Sequence, residues 1–168
     1  MKYIKTLNEI SGYDSWKTQS PYDYDEECMS SGEVDFDVSF NIDKKANSDA
    51  IPGKEFKAFV SDIDKILMSY FKKHKQISNL KVYSPLNQPD ESYIDWVENE
   101  DGTYSIGSIA WKITGEIEDV SVASEDVIAE ISPSEKDLAK TAKKYKWIDL
   151  NKIWIEDIDS EINNDCEY

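Results

Sequence analysis

The sequence contains no arginine, one histidine and two cysteines among 168 residues. Without arginine the protein cannot build a site around the planar guanidinium fork that grips carboxylates and phosphates. Neither His74 nor the cysteines, Cys28 and Cys166, have a neighbour at zinc-binding spacing, and both cysteines stand in acidic stretches near opposite ends. We therefore expect no zinc site and no functional disulfide, and a Ser-His-Asp or Cys-His catalytic system would have to use His74.

Motifs for nucleotide and calcium binding are also missing. The six glycines form no phosphate-binding loop, and Asp-x-Asp pairs such as Asp35 and Asp37 lack the turn glycine of a calcium loop. Since no nucleophile–base pair or metal-ligand cluster is recognisable either, we predict a protein without enzymatic activity, metal or cofactor. No stretch approaches the roughly 20 apolar residues of a membrane span, and residues 1–10 do not resemble a signal peptide, so the expected location is the cytoplasm.

Positive charge is scarce: 19 lysines stand against 35 acidic residues, which gives a net charge of −16. This balance excludes a nucleic-acid binder that works by neutralising phosphates. The lysines are concentrated in residues 54–81 and 136–152, and the remaining 123 residues hold 30 acidic residues and six lysines. Because such a surface repels itself in the compact state, it serves either solubility or the binding of something basic.

Hydrophobic periodicity predicts an α+β fold. Residues 33–43 alternate strictly, with apolar side chains at even positions and mainly acidic ones at odd positions, as in a half-buried strand. Apolar spacings of three and four predict a long amphipathic helix over 54–76. We expect a mostly antiparallel sheet with this helix packed on it, and a core formed by Phe36, Phe40, Phe59, Ile63, Leu67, Phe71, Ile94 and Ile109.

A central β-hairpin is predicted from the Asp101-Gly102 turn signal between residues 93–100 and 103–113, with opposed residues summing to 203. Short strands are expected at 80–83 and 127–131. The sequence Ser132-Pro133-Ser134-Glu135 resembles a capping box, so a shorter helix should begin there and run to about residue 145. A strand at 152–157 is favoured over a helix covering 147–158.

Domain organisation follows from the same patterns. Residues 1–168 are expected to form a single acidic domain with a loop or arm at 11–31 and a frayed acidic tail at 159–168. The oligomeric state does not follow from the sequence.

Function is inferred from the acidic residues. Glu33, Asp35 and Asp37 form a row with a spacing of about 7 Å on one strand face, roughly commensurate with successive phosphates. In composition the chain is similar to two kinds of inhibitor, immunity proteins that neutralise nuclease toxins and phage proteins that block host defence. We therefore predict a non-enzymatic acidic inhibitor, a possible nucleic-acid mimic, that binds a basic nuclease or a DNA- or RNA-targeting effector and contacts no nucleic acid or membrane itself. The residues assigned to partner binding are Asp25, Glu26, Glu27, Glu33, Asp35, Asp37, Asp95, Trp96, Glu98, Glu100 and Asp101. Nearby tyrosines, among them Tyr104, are expected to add contact area where exposed.

Two alternatives stay open from the sequence. With 35 acidic residues, a carboxylate-based metal-dependent hydrolase can be neither inferred nor dismissed. An acidic scaffold or interaction protein without inhibitory activity would associate through exposed aromatic residues such as Trp111 and Trp154.

Overall fold

A computed structural model describes residues 29–87, 95–121 and 126–165. These residues form eight strands and three α-helices, and a single turn of 3-10 helix covers Pro85–Asn87. The strands are β1 (Met29–Ile42), β2 (Ile51–Pro52), β3 (Ile77–Tyr83), β4 (Trp96–Glu98), β5 (Thr103–Ile106), β6 (Ser108–Ser121), β7 (Ile148–Asp157) and β8 (Glu161–Asp165). The helices are α1 (Gly53–Phe71), α2 (Val127–Ile131) and α3 (Glu135–Ala142). All observed strand pairs are antiparallel, which confirms the predicted α+β class.

Strand β1 is the centre of the main sheet. The strand order of this sheet is β3-β6-β1-β7, and β8 pairs with β1 beyond the end of β7. Along one edge β1 pairs with β6 from Met29 to Asn41, and along the other it pairs first with β8 and then with β7. Residues of β6, β7 and β8 that lie opposite a residue of β1 therefore project to the same side of the sheet as that residue.

The core lies between the even-numbered face of β1 and helix α1. Phe40 meets Phe59 edge to face at 5.2 Å, and both rings contact Trp111 of β6. All predicted core residues within the described part are buried; Ile94 lies outside it. Helix α1 begins at Gly53 and ends at Phe71, its last buried apolar residue, five residues earlier than predicted.

Three acidic residues of α1 hold aromatic side chains of the core. Trp111 Nε1 donates to Asp64 Oδ1 at 2.6 Å, and the Tyr145 hydroxyl donates to Asp62 Oδ2 at 2.5 Å. Glu55 Oε2 accepts from Trp147 Nε1, in the segment that follows α3, at 3.1 Å. Because buried indole and phenol groups need hydrogen-bond partners, these carboxylates have a structural role.

The hairpin register differs from the prediction by one residue. Trp96 pairs with Ile106, and Glu98 pairs with Tyr104, so opposed residues sum to 202 and Trp96 lies opposite Ile106 instead of Gly107. The backbone amide of Asn99 donates to the Thr103 carbonyl at 2.8 Å, which closes a three-residue loop. Gly102 occupies the left-handed region at φ +78°, as expected for a type I turn followed by a glycine bulge.

The predicted strand 103–113 is divided at Gly107. Strand β5 belongs to a small sheet with the order β2-β5-β4, whereas β6 belongs to the main sheet. The Gly107 amide donates to the Asp95 carbonyl at 2.8 Å, and a Cβ at this glycine would stand 2.2 Å from a carboxylate oxygen of Asp95. A larger residue here would displace the exposed Asp95 side chain, and the glycine stands where the chain passes from one sheet to the other.

The C-terminal half contains further corrections. Residues 127–131 form helix α2, not a strand, with Val127 and Ile131 buried. Helix α3 begins two residues later than the capping box predicted, because Ser134 is the N-cap and accepts from the Asp137 amide at 3.3 Å. That helix ends at Ala142, before the predicted end at about 145.

The strand predicted at 152–157 is confirmed, beginning at Ile148, and the strand predicted at 80–83 begins at Ile77. Within the tail predicted to fray at 159–168, residues Glu161–Asp165 form β8, which pairs with β1, and residues 166–168 lie outside the described part of the chain. Of the expected arm at 11–31, residues 29–31 belong to β1 and the others lie outside the described residues.

Candidate interaction surface

The face of the main sheet opposite α1 carries the predicted carboxylate row. Strict alternation along β1 buries Val34, Phe36 and Val38 and turns Glu33, Asp35 and Asp37 to the other side. None of the three described helices packs on that side. We call it the carboxylate face, defined by Glu33, Asp35, Asp37, Glu116, Glu156 and Glu161.

Glu33 is flanked by acidic residues on both neighbouring strands. It lies directly opposite Glu116 of β6 and directly opposite Glu161 of β8. Neighbouring strands are about 4.8 Å apart, so three carboxylates follow one another across the sheet. Like charges placed directly opposite each other destabilise a sheet, and this arrangement therefore costs folding free energy.

Asp37 occupies a mixed position two residues further along β1. Lys112 of β6 lies opposite it on one side and Glu156 of β7 on the other. Burial raises the pKa of the Asp37 carboxyl above its ordinary value; Lys112 opposes this rise, whereas Asp35 and Glu156 add to it. The ionised form of Asp37 is thus held at a cost in the folded protein.

Asp35 forms the main ion pair of the carboxylate face, because its Oδ2 lies 3.0 Å from Lys112 Nζ. Its backbone amide donates to the Ser160 hydroxyl at 2.9 Å, in the turn between β7 and β8. The Oδ1 atoms of Asp35 and Asp37 are buried and have no hydrogen-bond partner among the described residues. The carboxylates of α1 accept hydrogen bonds from aromatic side chains of the core, whereas these two oxygens accept none.

A shallow depression of about 290 Å³ opens on the carboxylate face. Its lining includes the carboxylates of Glu33, Asp35, Glu116 and Asp159, together with Lys81. Glu116 is oriented by a 2.8 Å hydrogen bond from the side-chain amide of Asn79. The depression therefore favours a cationic group over an anionic one.

Trp154 of β7 lies on the same face, opposite Ser39 of β1, and 46% of its surface is exposed. Trp111, which was predicted to be exposed together with Trp154, is fully buried. A large exposed ring beside carboxylates is the kind of residue that anchors protein–protein contacts.

Sequence reasoning missed Trp154, Glu116, Glu156 and Glu161 as members of this face. Alternation with Ile153 and Ile155 was the available signal for Trp154 and Glu156. For Glu116 the signal was alternation with Gly115 and Ile117.

The acidic hairpin is a separate cluster on the small sheet. Asp95, Glu98, Glu100 and Asp101 are all exposed. Two of them are engaged locally: Asp95 Oδ2 accepts from the Ser108 hydroxyl at 3.1 Å, and Asp101 Oδ1 accepts from the Thr103 hydroxyl at 2.6 Å. The bonds from Thr103 lower the pKa of Asp101, which marks it as a turn-forming residue.

The aromatic residues of the hairpin mainly contribute to packing. Trp96 is half-buried, with its ring 5.5 Å from both Phe56 and Tyr104. Tyr104 is buried, contrary to the expectation that it offers contact area. Of the other residues assigned to partner binding, Asp25, Glu26 and Glu27 lie outside the described residues.

Within residues 29–87, 95–121 and 126–165, no three His, Cys, Asp or Glu side chains are arranged to hold a metal ion. Across the same residues, no helix has the length and apolar character needed to cross a membrane. No family model matches the sequence, and neither a curated protein nor a solved structure shows significant similarity to it.

Proposed function

We propose that this protein is a non-enzymatic inhibitor that binds the basic, nucleic-acid-binding surface of a partner protein. The observation that carries the proposal is the carboxylate face, where Glu33 stands between two further glutamates and six acidic residues share the side of a sheet on which none of the described helices packs. Such an array attracts a surface rich in lysine and arginine. A nuclease toxin and a DNA- or RNA-targeting defence effector both present a surface of that kind.

The geometry supports mimicry of a nucleic-acid backbone. Carboxylates repeat at about 7 Å along β1 and at about 4.8 Å across the strands. They are held on paired strands, so binding does not require them to be ordered first. Trp154 stands at the side of the array, where its exposed ring can stack on or pack against the partner.

The cost of the carboxylate face also supports a binding role. Opposed like charges destabilise the sheet, and binding sites are regions where proteins keep features that reduce stability. A partner with positive charge would remove this repulsion on binding. Association should then be faster than the about 10⁵–10⁶ M⁻¹s⁻¹ of neutral pairs and should slow as salt is added.

The experiment begins with affinity capture, using the full chain as bait in lysates of its host and of competing cells. Retention of a nucleic-acid enzyme that added DNA or RNA displaces, and whose activity the protein blocks, is the expected result. A retained protein that nucleic acid does not displace would contradict mimicry.

Two variants with the same change in net charge localise the contact. Glu33→Lys with Glu156→Lys alters the carboxylate face, and Asp49→Lys with Glu130→Lys is the matched control at exposed positions outside it. We expect the first pair to slow association by about tenfold or more and the control to change it far less. Equal effects of the two pairs would show that net charge alone matters, and no effect of either would reduce the acidic face to a solubilising surface.

A further inference from the structure

A groove of about 510 Å³ lies between the α2–α3 segment and the edge strands β7 and β8. Its apolar lining includes Ile128 and Ala129 of α2, Ile155 of β7 and Ile162 of β8. This volume is within the range of pockets that hold small molecules or single side chains. The groove is distinct from the carboxylate face, because Ile155 shares the inward-facing side of the sheet with Val38.

The charged residues of the groove are acidic. Glu135, in the first turn of α3, and Asp157, at the end of β7, both belong to its lining, and no lysine of the described residues does. The N-terminus of α3 does not make the groove an anion site, because Ser134 already caps it and Glu135 and Asp137 lie in its first turn. An occupant with an apolar body and a positive charge is complementary to this lining.

Ser132 gives a second, independent indication of a ligand. It lines the groove, only 2% of its surface is exposed, and its hydroxyl has no hydrogen-bond partner within the described part of the chain. A buried hydroxyl without a partner costs free energy in the unliganded protein. A donor on the occupant would satisfy the Ser132 oxygen once this side chain rotates toward the groove, because the oxygen is itself covered in the unliganded structure.

We propose that the groove receives a lysine side chain of the basic partner. The four-carbon stem packs on the isoleucines, and the ammonium group is neutralised by Glu135 and Asp157 and donates to Ser132. The inference rests on the proposed function, since it takes the partner to be basic. Groove and carboxylate face meet at one sheet edge, because Asp157 lines the groove while the preceding residue, Glu156, belongs to the carboxylate face.

The test is a titration of the full chain followed by methyl NMR of Ile128, Ile155 and Ile162. The probe is Nα-acetyl-lysine N-methylamide, and its uncharged match is Nα-acetyl-norleucine N-methylamide, which has the same stem length without the amine. We expect saturable shifts with the lysine probe and about two- to fivefold weaker binding of the norleucine probe for each carboxylate engaged. Asp157→Asn should weaken the lysine probe by a similar factor and leave the norleucine probe unchanged.

Two further variants exclude general attraction to an acidic protein. Ala129→Trp should block the groove, whereas Ala58→Trp, at an exposed position of α1, is the matched control. Ser132→Ala should weaken the lysine probe without lowering the melting temperature, since no hydrogen bond is lost. Equal binding of the two probes, or lysine binding unaffected by Ala129→Trp, would overturn the proposal.

Failure of this inference is distinguishable from failure of the proposed function. The probe titration requires no partner, so it reports on the groove alone. Once a partner is captured, Ala129→Trp should lower its affinity more than Ala58→Trp does. Partner binding that Ala129→Trp leaves intact would refute the groove as a contact while the carboxylate face retained its role.

Discussion

Replacing Glu33 by glutamine removes the central charge of three adjacent carboxylates and should make the protein more stable. Glu33 is exposed and lies directly opposite Glu116 and Glu161. Each opposed like-charge pair in a sheet costs about 0.2–1 kcal/mol, so removing two of them should raise the free energy of unfolding by about 0.4–2 kcal/mol. Glutamine keeps the length of the side chain and its β-sheet geometry.

Urea denaturation followed by circular dichroism measures this change, and the melting temperature should rise by about 2–4 °C for each kcal/mol in a chain of this size. The gain should shrink in 1 M salt, where the screening length falls to about 3 Å. Glu98→Gln is the control, because Glu98 is exposed on a strand but lies opposite Tyr104. Its effect should remain within about 0.5 kcal/mol.

The reasoning would be refuted if Glu33→Gln destabilised the protein, matched Glu98→Gln, or produced a gain that salt did not reduce. In the first case the glutamates would be held by favourable contacts, and the proposed cost of the carboxylate face would not exist. A stabilised variant that also binds the partner more slowly would link that cost directly to function.

Three further predictions address the core, the sheet and its charge. Trp111→Phe should lower the free energy of unfolding by about 2–4 kcal/mol in urea denaturation, because it removes the hydrogen bond to Asp64 and leaves a cavity. A loss below about 1 kcal/mol would contradict the packing described. Gly32→Ala should destabilise β8 and speed amide exchange at 161–165, since φ is +148° there and a Cβ would stand 2.0 Å from the Glu161 carbonyl oxygen; unchanged exchange would contradict the pairing. The raised pKa of Asp37 means that the native state binds this proton more tightly than the unfolded state. The stability of the wild type relative to Asp37→Asn should therefore fall as pH rises from the ordinary pKa of 3.8 through the raised pKa. Denaturation between pH 3 and about pH 7 measures this difference, and a difference that does not depend on pH would contradict the prediction.

The carboxylate face shows which part of the site the sequence could predict. Period-two alternation in residues 33–43 was sufficient to place Glu33, Asp35 and Asp37 on one side of a strand. It could not show that Glu116 and Glu161 stand beside Glu33, because they come from strands 83 and 128 residues further along the chain. Such pairing depends on register, which is set by the whole sheet.

The hairpin illustrates the same division at short range. The Asp-Gly signal located the turn, but the Asn99–Thr103 hydrogen bond made the loop one residue longer and shifted every cross-strand pair. Residues 127–131 carry a short apolar run, and such a run suits a buried helix as well as a strand.

The sequence by itself determined the composition of this protein, the apolar face of α1 and the alternation of β1, because these follow from local spacing and side-chain chemistry. The tertiary structure alone decided that acidic residues of α1 hold core aromatics while those of β1 have no such role. It also decided that Trp154 is exposed and Trp111 is buried. Two tryptophans of similar local pattern differ in this way because Trp111 faces the helix layer, whereas Trp154 faces the side of the sheet on which none of the described helices packs.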